Sequence, residues 1–339
     1  MVVLLLALVY EVRKTLFIFI LAVLFAYLLS PLVNLLDRLF GSSKRRTPAL
    51  ALAYVILVGL MVLAATQIGS RVANEAKELT KDLPARIAAW EKPSPNLTPA
   101  MNNLRTQIVE RLRGLITEGS SDLLAAAAHA GMTFITVASD AIYVVIIPIL
   151  AFFFLKDGHL IREHLLEMVP EGPRRLLLDD LLADIHLLLA HYMRALVLLS
   201  AAAFTAYSIF FSIMGVPYGV LLAALGGMLE FIPMLGPLTA GILIVLVSAI
   251  SGSHALAVII FLLAYRVFQD YILSPHLMER GVEVHPLLVL FGVFAGAEVA
   301  GIAGTFLSVP ILALVRIMFK RIHKARVQAS LAPETTITR

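Results

Sequence analysis

Long apolar runs alternate with charged stretches along this chain. Residues 15–36 carry no charge and form the first run, with Pro31 near its end. A second uncharged run covers 49–68, a third covers 131–155 and is broken only by Asp140, and a fourth covers 195–214. After Gly215-Val216-Pro217, the stretch 219–251 is apolar except for Glu230 and is interrupted at Ile232-Pro233-Met234-Leu235-Gly236-Pro237. Residues 254–273 contain Arg266 and Asp270; residues 286–315 are apolar except for Glu298 and are broken by Gly296, Gly301 and Gly304. A helix needs about 20 mostly apolar residues to cross a bilayer core. The pattern therefore predicts an all-α, polytopic transmembrane helical bundle with broken or re-entrant helices.

Two segments follow a different rule. Within 71–130, Val72, Ala76, Leu79, Leu83, Ile87 and Trp90 recur at steps of three and four, as do Met101, Leu104, Ile108, Leu112 and Leu115. That spacing is helical amphipathicity, and it predicts a small extramembrane helical module divided by Pro84, Pro93, Pro95 and Pro99. Residues 156–194 resemble it, with Leu178, Leu181, Leu182, Ile185 and Leu189 on one face. Packing or interfacial helices are the plain reading of both. The predicted organisation is N-terminal membrane helices (1–70), an extracytoplasmic module (71–130) and a membrane helix (131–155). Cytoplasmic amphipathic helices (156–194), a core with two helix breaks (195–319) and a basic cytoplasmic tail (320–339) complete it. Residues 2–9 are apolar but short, and they lack a basic n-region and an A-x-A-like cleavage site. They read as an interfacial piece or a shortened first helix, the second being preferred, and not as a cleaved signal.

Basic loops set the orientation. Arg38, Lys44, Arg45 and Arg46 in one loop, and Arg316, Lys320, Arg321, Lys324 and Arg326 in the tail, place both on the cytoplasmic side. Parity then closes if 219–251 is a hairpin entering from outside, 254–273 is one crossing, and 286–315 is a hairpin from inside. Two hairpins dipping from opposite faces, each broken at its tip, suit a transporter core. A plain count of one helix per segment, with odd crossings suitably combined, satisfies parity too.

Composition agrees with this reading: 60% of residues are apolar and 15% charged, against about 45–50% and about 25% in soluble domains, and the mean hydropathy is +0.92. The net charge of +4 is small and dispersed, so no nucleic-acid partner is expected. Cysteine is absent, which removes disulfides, thiolate catalysis and zinc–thiolate sites. There is no P-loop, H-E-x-x-H or G-x-S-x-G motif. The pairs His159/His164 and His186/His191 are five apart, which does not align both rings on one helix face. No enzyme activity, metal or cofactor is expected.

Polar groups within the apolar runs are the candidate chemistry. An ionised side chain at a helix centre costs about 2.5–3.5 kcal/mol on insertion scales, so intramembrane carboxylates are functional candidates by default. Glu230 and Glu298 each sit beside a helix break, where freed backbone groups can join them in binding a solute or ion. Asp270 follows Arg266 by one turn, so the two can pair. The functional reading is a polar pathway lined by Glu230, Glu298 and Asp270. The bland alternatives are self-neutralisation of Arg266 with Asp270, and glutamates that reach water at an interface. Asp140, beside Ser139, reads as a local hydrogen-bonding residue. Gly226-Gly227 and the Gly292/Gly296 spacing read first as close helix packing.

With these residues identified, the chain resembles the autoinducer-2 exporter family of multi-pass membrane proteins. The motifs are AYLLSPLV at 26–33, LAFFFLKDG at 150–158, and Gly215-Val216-Pro217-Tyr218 followed by Phe231 through Pro237. Ser274-Pro275 with Met278, His285-Pro286-Leu287, Gly301-Ile302-Ala303-Gly304 and Val309-Pro310 complete them. Each is weak alone; their order and spacing are specific. The resemblance implies a permease-like protein of the inner membrane with about eight spans, assembled as a homo-oligomer and associated with autoinducer-2 export or, in some members, sodium/proton antiport. The shorter first helix departs from the family pattern. The leading expectation is a secondary transporter exporting a small polar solute or signalling molecule, coupled to a proton or sodium ion. The pathway or coupling set is Glu230, Pro233, Gly236, Pro237, Arg266, Asp270, Glu298, Gly301 and Gly304. A sodium/proton antiporter, and a non-transporting structural partner in the membrane, are the alternatives.

Overall fold

The computed structural model describes residues 11–40, 47–91, 98–99, 102–103, 106–107, 110, 141–252, 254–277 and 285–331. These residues are largely helical, without strands among them. The structure is all-α, and the long helices follow the apolar runs. Helix α1 spans Arg13–Leu39 and carries Pro31 within it. Helix α2 (Thr47–Ala64) passes through a π-turn at Ala65–Gly69 into α3 (Ser70–Glu91). Helix α4 is Ala141–Glu167 and α5 is Pro173–Met214. Four described helices or continuous helical stretches are long and apolar enough to cross a membrane: Thr15–Leu39, Thr47–Trp90, Pro173–Met214 and Ala255–Leu277.

Two boundaries differ from the sequence reading. Pro84 lies inside α3 instead of dividing the segment. The ring removes a single helical N–H, and Ile87 beyond it is held against Leu83, Trp90, Leu246 and Ile250, so packing outweighs the local defect. The amphipathic stretch from Pro173 and the span beginning at 195 form one helix of 42 residues. Nothing in the intervening Tyr192-Met193-Arg194 breaks it. The second amphipathic run of the segment expected to lie outside the membrane (Met101, Leu104, Ile108, Leu112, Leu115), Asp140 and residues 2–9 lie outside the described residues.

Helix α5 ends at Gly215, whose φ of 63° is the left-handed conformation suited to a C-terminal glycine. The chain then folds into a hairpin of α6 (Gly219–Leu229) and α7 (Leu235–Ile250). At about 1.5 Å per residue, the 11 residues of α6 rise about 16 Å. That is roughly half of the about 30 Å hydrocarbon layer. The hairpin packs on α5 with no room to spare: a Cβ on Gly226 would overlap the Tyr207 ring, and one on Gly227 would press on Phe204 and the Ser200 carbonyl. Ser200 donates to the Gly227 carbonyl at 2.6 Å. Leu222, Ala223, Ala240 and Ile244 join Tyr207 and Phe211 in the largest apolar core of this region.

Helix α8 (Ala255–Phe268) leads through a π-turn at Gln269–Leu273 into the short α9 (Ser274–Leu277). The last element, α10, spans Pro286–Leu331 and leaves helical geometry at Ala300 and Gly301, the latter with φ 60°. Its two arms fold back on each other. A Cβ on Gly292 would overlap Leu312, and Cβ atoms on Gly296 and Gly304 would each strike the other's backbone. The pair Gly292/Gly296 is therefore a packing face, as its spacing suggests. Leu307 on the second arm is buried with Leu24 of α1 and Leu189, Tyr192, Met193 and Leu196 of α5.

Candidate functional site

The site forms where the first hairpin turns. Helix α6 ends at Leu229, and the turn through Glu230–Met234 is held by Ile232 N–H to Leu229 O at 2.9 Å and Gly236 N–H to Ile232 O at 3.0 Å. Met234 takes a positive φ of 63°, which for a bulky side chain is strained backbone. Gly236 is required beside it, because a Cβ there would overlap the Leu229 carbonyl. Pro233 fixes the turn's backbone and Pro237 sits in the first turn of α7, where no N–H donor is needed. The sequence Ile232 to Pro237 thus makes a tip that points Glu230 inward.

Glu230 is only 8% exposed. Its Oε1 accepts a hydrogen bond from Nε2 of Gln269, which is 3% exposed. Nη1 of Arg266 lies 3.9 Å from the same oxygen. Arg266 also donates through Nε to Asp270 Oδ2 at 2.8 Å, and this pair is roughly half-exposed on α8. A buried carboxylate needs donors or an opposite charge to stay ionised in the interior. Here both are supplied by a neighbouring helix. Tyr207 of α5 and Tyr265 of α8 pack edge to face with rings 5.1 Å apart. The Tyr265 hydroxyl is buried without a hydrogen-bond partner among the described residues.

Of the residues expected from sequence, the structure brings together Glu230, Pro233, Gly236, Pro237, Arg266 and Asp270. Glu298, Gly301 and Gly304 gather instead at the bend of the second hairpin, where the Glu298 side chain is exposed. The two groups approach through aromatic rings: Phe231, next to Glu230, lies 6.1 Å from Phe306. Sequence reasoning missed Gln269. A neutral amide inside an apolar run carries little weight in a search for charge, although its place one position before Asp270 marked the neighbourhood. The π-turn that begins at Gln269 has no sequence signal of its own; such turns recur at functional sites.

The open end of the hairpin is tied to α3. Glu75 Oε2 accepts the Leu221 N–H at 2.8 Å, serving as a carboxylate cap for the N-terminus of α6. The Tyr218 hydroxyl donates to Asp82 at 3.0 Å. Burial first, then Asp82, push that hydroxyl above its ordinary pKa, so the proton it donates is retained. Arg86 donates to the Ser251 carbonyl at 3.3 Å, at the far end of α7. At the other side of the molecule, Arg321 of α10 binds Asp184 at 2.6 Å and Asp180 at 2.9 Å on α5, and Arg162 of α4 binds Asp179 at 2.6 Å.

Comparison with known proteins agrees with the architecture. The profile of the AI-2E family of transporters matches residues 1–324. YrrI of Bacillus subtilis, named as a transport protein, is 30% identical over 54% of this chain and 51% of its own length, so the match spans about half of that relative. YueF of the same organism, also named for transport, is 24% identical over 87% of this chain and 81% of its own. PerM of Escherichia coli K12, named as a permease, is 24% identical over 87% of this chain and 84% of its own.

Proposed function

The chain belongs to the AI-2E transporter family, and from that membership we propose that it carries a small polar solute across the inner membrane by a path that passes Glu230. The supporting observation is the buried Glu230 carboxylate at a helix break, held by Gln269 and Arg266 from another element. The C-terminal end of the half-helix α6 and its carboxylate favour a cation, whereas the N-terminal end of α7 across the turn favours an anionic or hydrogen-bond-accepting group. One tip thus offers both kinds of recognition. Transport is ion-coupled, Glu230 being the group that takes the proton or sodium ion. Asp270 partners Arg266, and the turn residues Pro233, Gly236 and Pro237 keep the tip unwound. In this reading Glu298, Gly301 and Gly304 line the part of the path contributed by the second hairpin.

The orientation that fits has α3 outside and the C-terminus in the cytoplasm, so the first hairpin dips from outside and the second from inside. Export of a signalling molecule of the autoinducer-2 kind is the direction and cargo class that accord with the family name. Assembly as a homo-oligomer accords with the many exposed apolar side chains on α2, among them Val55, Val58, Met61 and Leu63, which lipid or a second copy would cover.

The test is flux in proteoliposomes under an imposed proton or sodium gradient, with candidate solutes screened one by one. Glu230→Gln abolishes both solute and ion movement while the purified protein keeps its helical content and elution volume. Unchanged flux in that variant removes Glu230 from the path. Proton release on addition of sodium, with no organic solute present, would favour the antiporter reading.

A further inference from the structure

The position of Arg266 between two carboxylates carries a consequence for the transport cycle. Its Nε contacts Asp270 directly, at 2.8 Å, whereas its Nη1 stands 3.9 Å from Glu230, at the outer limit of an ion pair. Arg266 and Asp270 belong to one helix and are four residues apart, so their pairing travels with α8. Glu230 belongs to the tip of a separate hairpin. The Arg266 side chain is 42% exposed while that of Glu230 is 7% exposed. The cation, held only on the Asp270 side by a short contact, has open space around it in which to swing, whereas the buried carboxylate has none. Gln269, buried against Glu230, holds the carboxylate in reach of either guest.

We propose that Arg266 is a tethered counter-ion that takes the place of the carried cation at Glu230 whenever the site empties, and retires to Asp270 when the site is loaded. This rests on the reading of Glu230 as the coupling carboxylate. The physical reason is the cost of a buried charge without a partner. A site that crosses the membrane loaded is neutralised by its guest. A site that returns empty must be neutralised by something the protein carries with it, and Arg266 is the cation positioned to do so. The cation proposed is sodium, because the groups at the tip are hard oxygen donors. They are the Glu230 carboxylate, the amide oxygen of Gln269 once it rotates, and the carbonyl end of α6. No covalent step is involved; one cation replaces another on a carboxylate.

Proteoliposomes loaded with radioactive sodium separate the two halves of the cycle. Efflux into sodium-free medium requires the empty return, whereas efflux into medium containing unlabelled sodium requires only the loaded steps. With the membrane potential clamped, Arg266→Gln keeps exchange and loses net efflux by about tenfold or more, the effect of roughly 1.4 kcal/mol on the empty step. Arg266→Lys restores net efflux. Equal loss of both modes in Arg266→Gln, or retention of both, overturns the proposal. Should Arg266→Gln fail to fold, Asp270→Asn serves instead. Releasing Arg266 toward Glu230 raises the sodium concentration for half-maximal exchange and leaves its maximum rate in place; an unmoved half-saturation overturns the proposal. Proton or solute flux that depends on Glu230, with no sodium movement in the wild-type protein, also overturns the counter-ion role and leaves the Glu230 reading standing. Sodium flux unaffected by Glu230→Gln overturns both.

Discussion

Phe231 and Phe306 meet ring to ring, 6.1 Å apart, where the turn of the first hairpin touches the second hairpin just past its bend. One follows Glu230 directly; the other lies two residues beyond Gly304. Each hairpin is anchored by polar contacts at its other end, the first to α3 and the second to α5. The apolar contact between them is thus the place where the two can separate without breaking an ion pair.

Cross-linking tests this contact in a chain that has no native cysteine. Phe231→Cys with Phe306→Cys, joined by a short bifunctional thiol reagent, stops solute and ion flux. Each single variant treated with the same reagent retains it. Full flux in the joined protein would show that the tips need not part.

Loss of the Glu75 carboxylate uncaps α6. Glu75→Ala leaves the Leu221 N–H without its side-chain acceptor and lowers stability by about 0.5–2 kcal/mol, the usual cost of a lost cap. A thermal melt in detergent shows the decrease, and Glu75→Asp recovers part of it.

Glycine substitutions divide by position. Gly304→Ala drives a methyl group into the Gly296 backbone and Gly236→Ala drives one into the Leu229 carbonyl, whereas Gly241 has open space around its Cβ position. The first two reduce the yield of folded protein and its melting temperature. Gly241→Ala keeps both, and it gains slightly from better helix propensity, up to about 1 kcal/mol.

Arg321→Gln releases the final arm of α10 from Asp180 and Asp184. These groups are partly exposed, Arg321 by 29% and Asp184 by 32%, so solvent screening limits the loss to about 1 kcal/mol. Limited proteolysis detects it as faster cleavage between Arg321 and Leu331, while the membrane-embedded fragment stays intact.

Glu298→Gln separates the two acidic candidates. With its side chain exposed and apart from the cluster around Glu230, its neutralisation retains most of the flux that Glu230→Gln abolishes. Equal loss in both variants would give the second hairpin a direct role in coupling.

The amino-acid sequence determined the class of this protein. Hydrocarbon tolerates only backbone that bonds within itself, so apolar runs of sufficient length must be helical, and the described runs are built of helices, two of them folded back at a break. It also marked the breaks at the two hairpin tips, because Pro233, Gly236 and Gly301 act on local backbone geometry that needs no distant partner, whereas at Pro84 packing overrode the same kind of signal. Tertiary structure decided what those breaks hold. Glu230 and Gln269 are 39 residues apart in the chain, and no periodicity links a hairpin turn to one face of the next helix. The clamp of Glu75, Asp82 and Arg86 on that hairpin is equally silent in sequence, because its partners lie more than a hundred residues away. Local order follows from neighbouring residues; a site built from several elements exists only after packing has brought distant side chains within bonding distance.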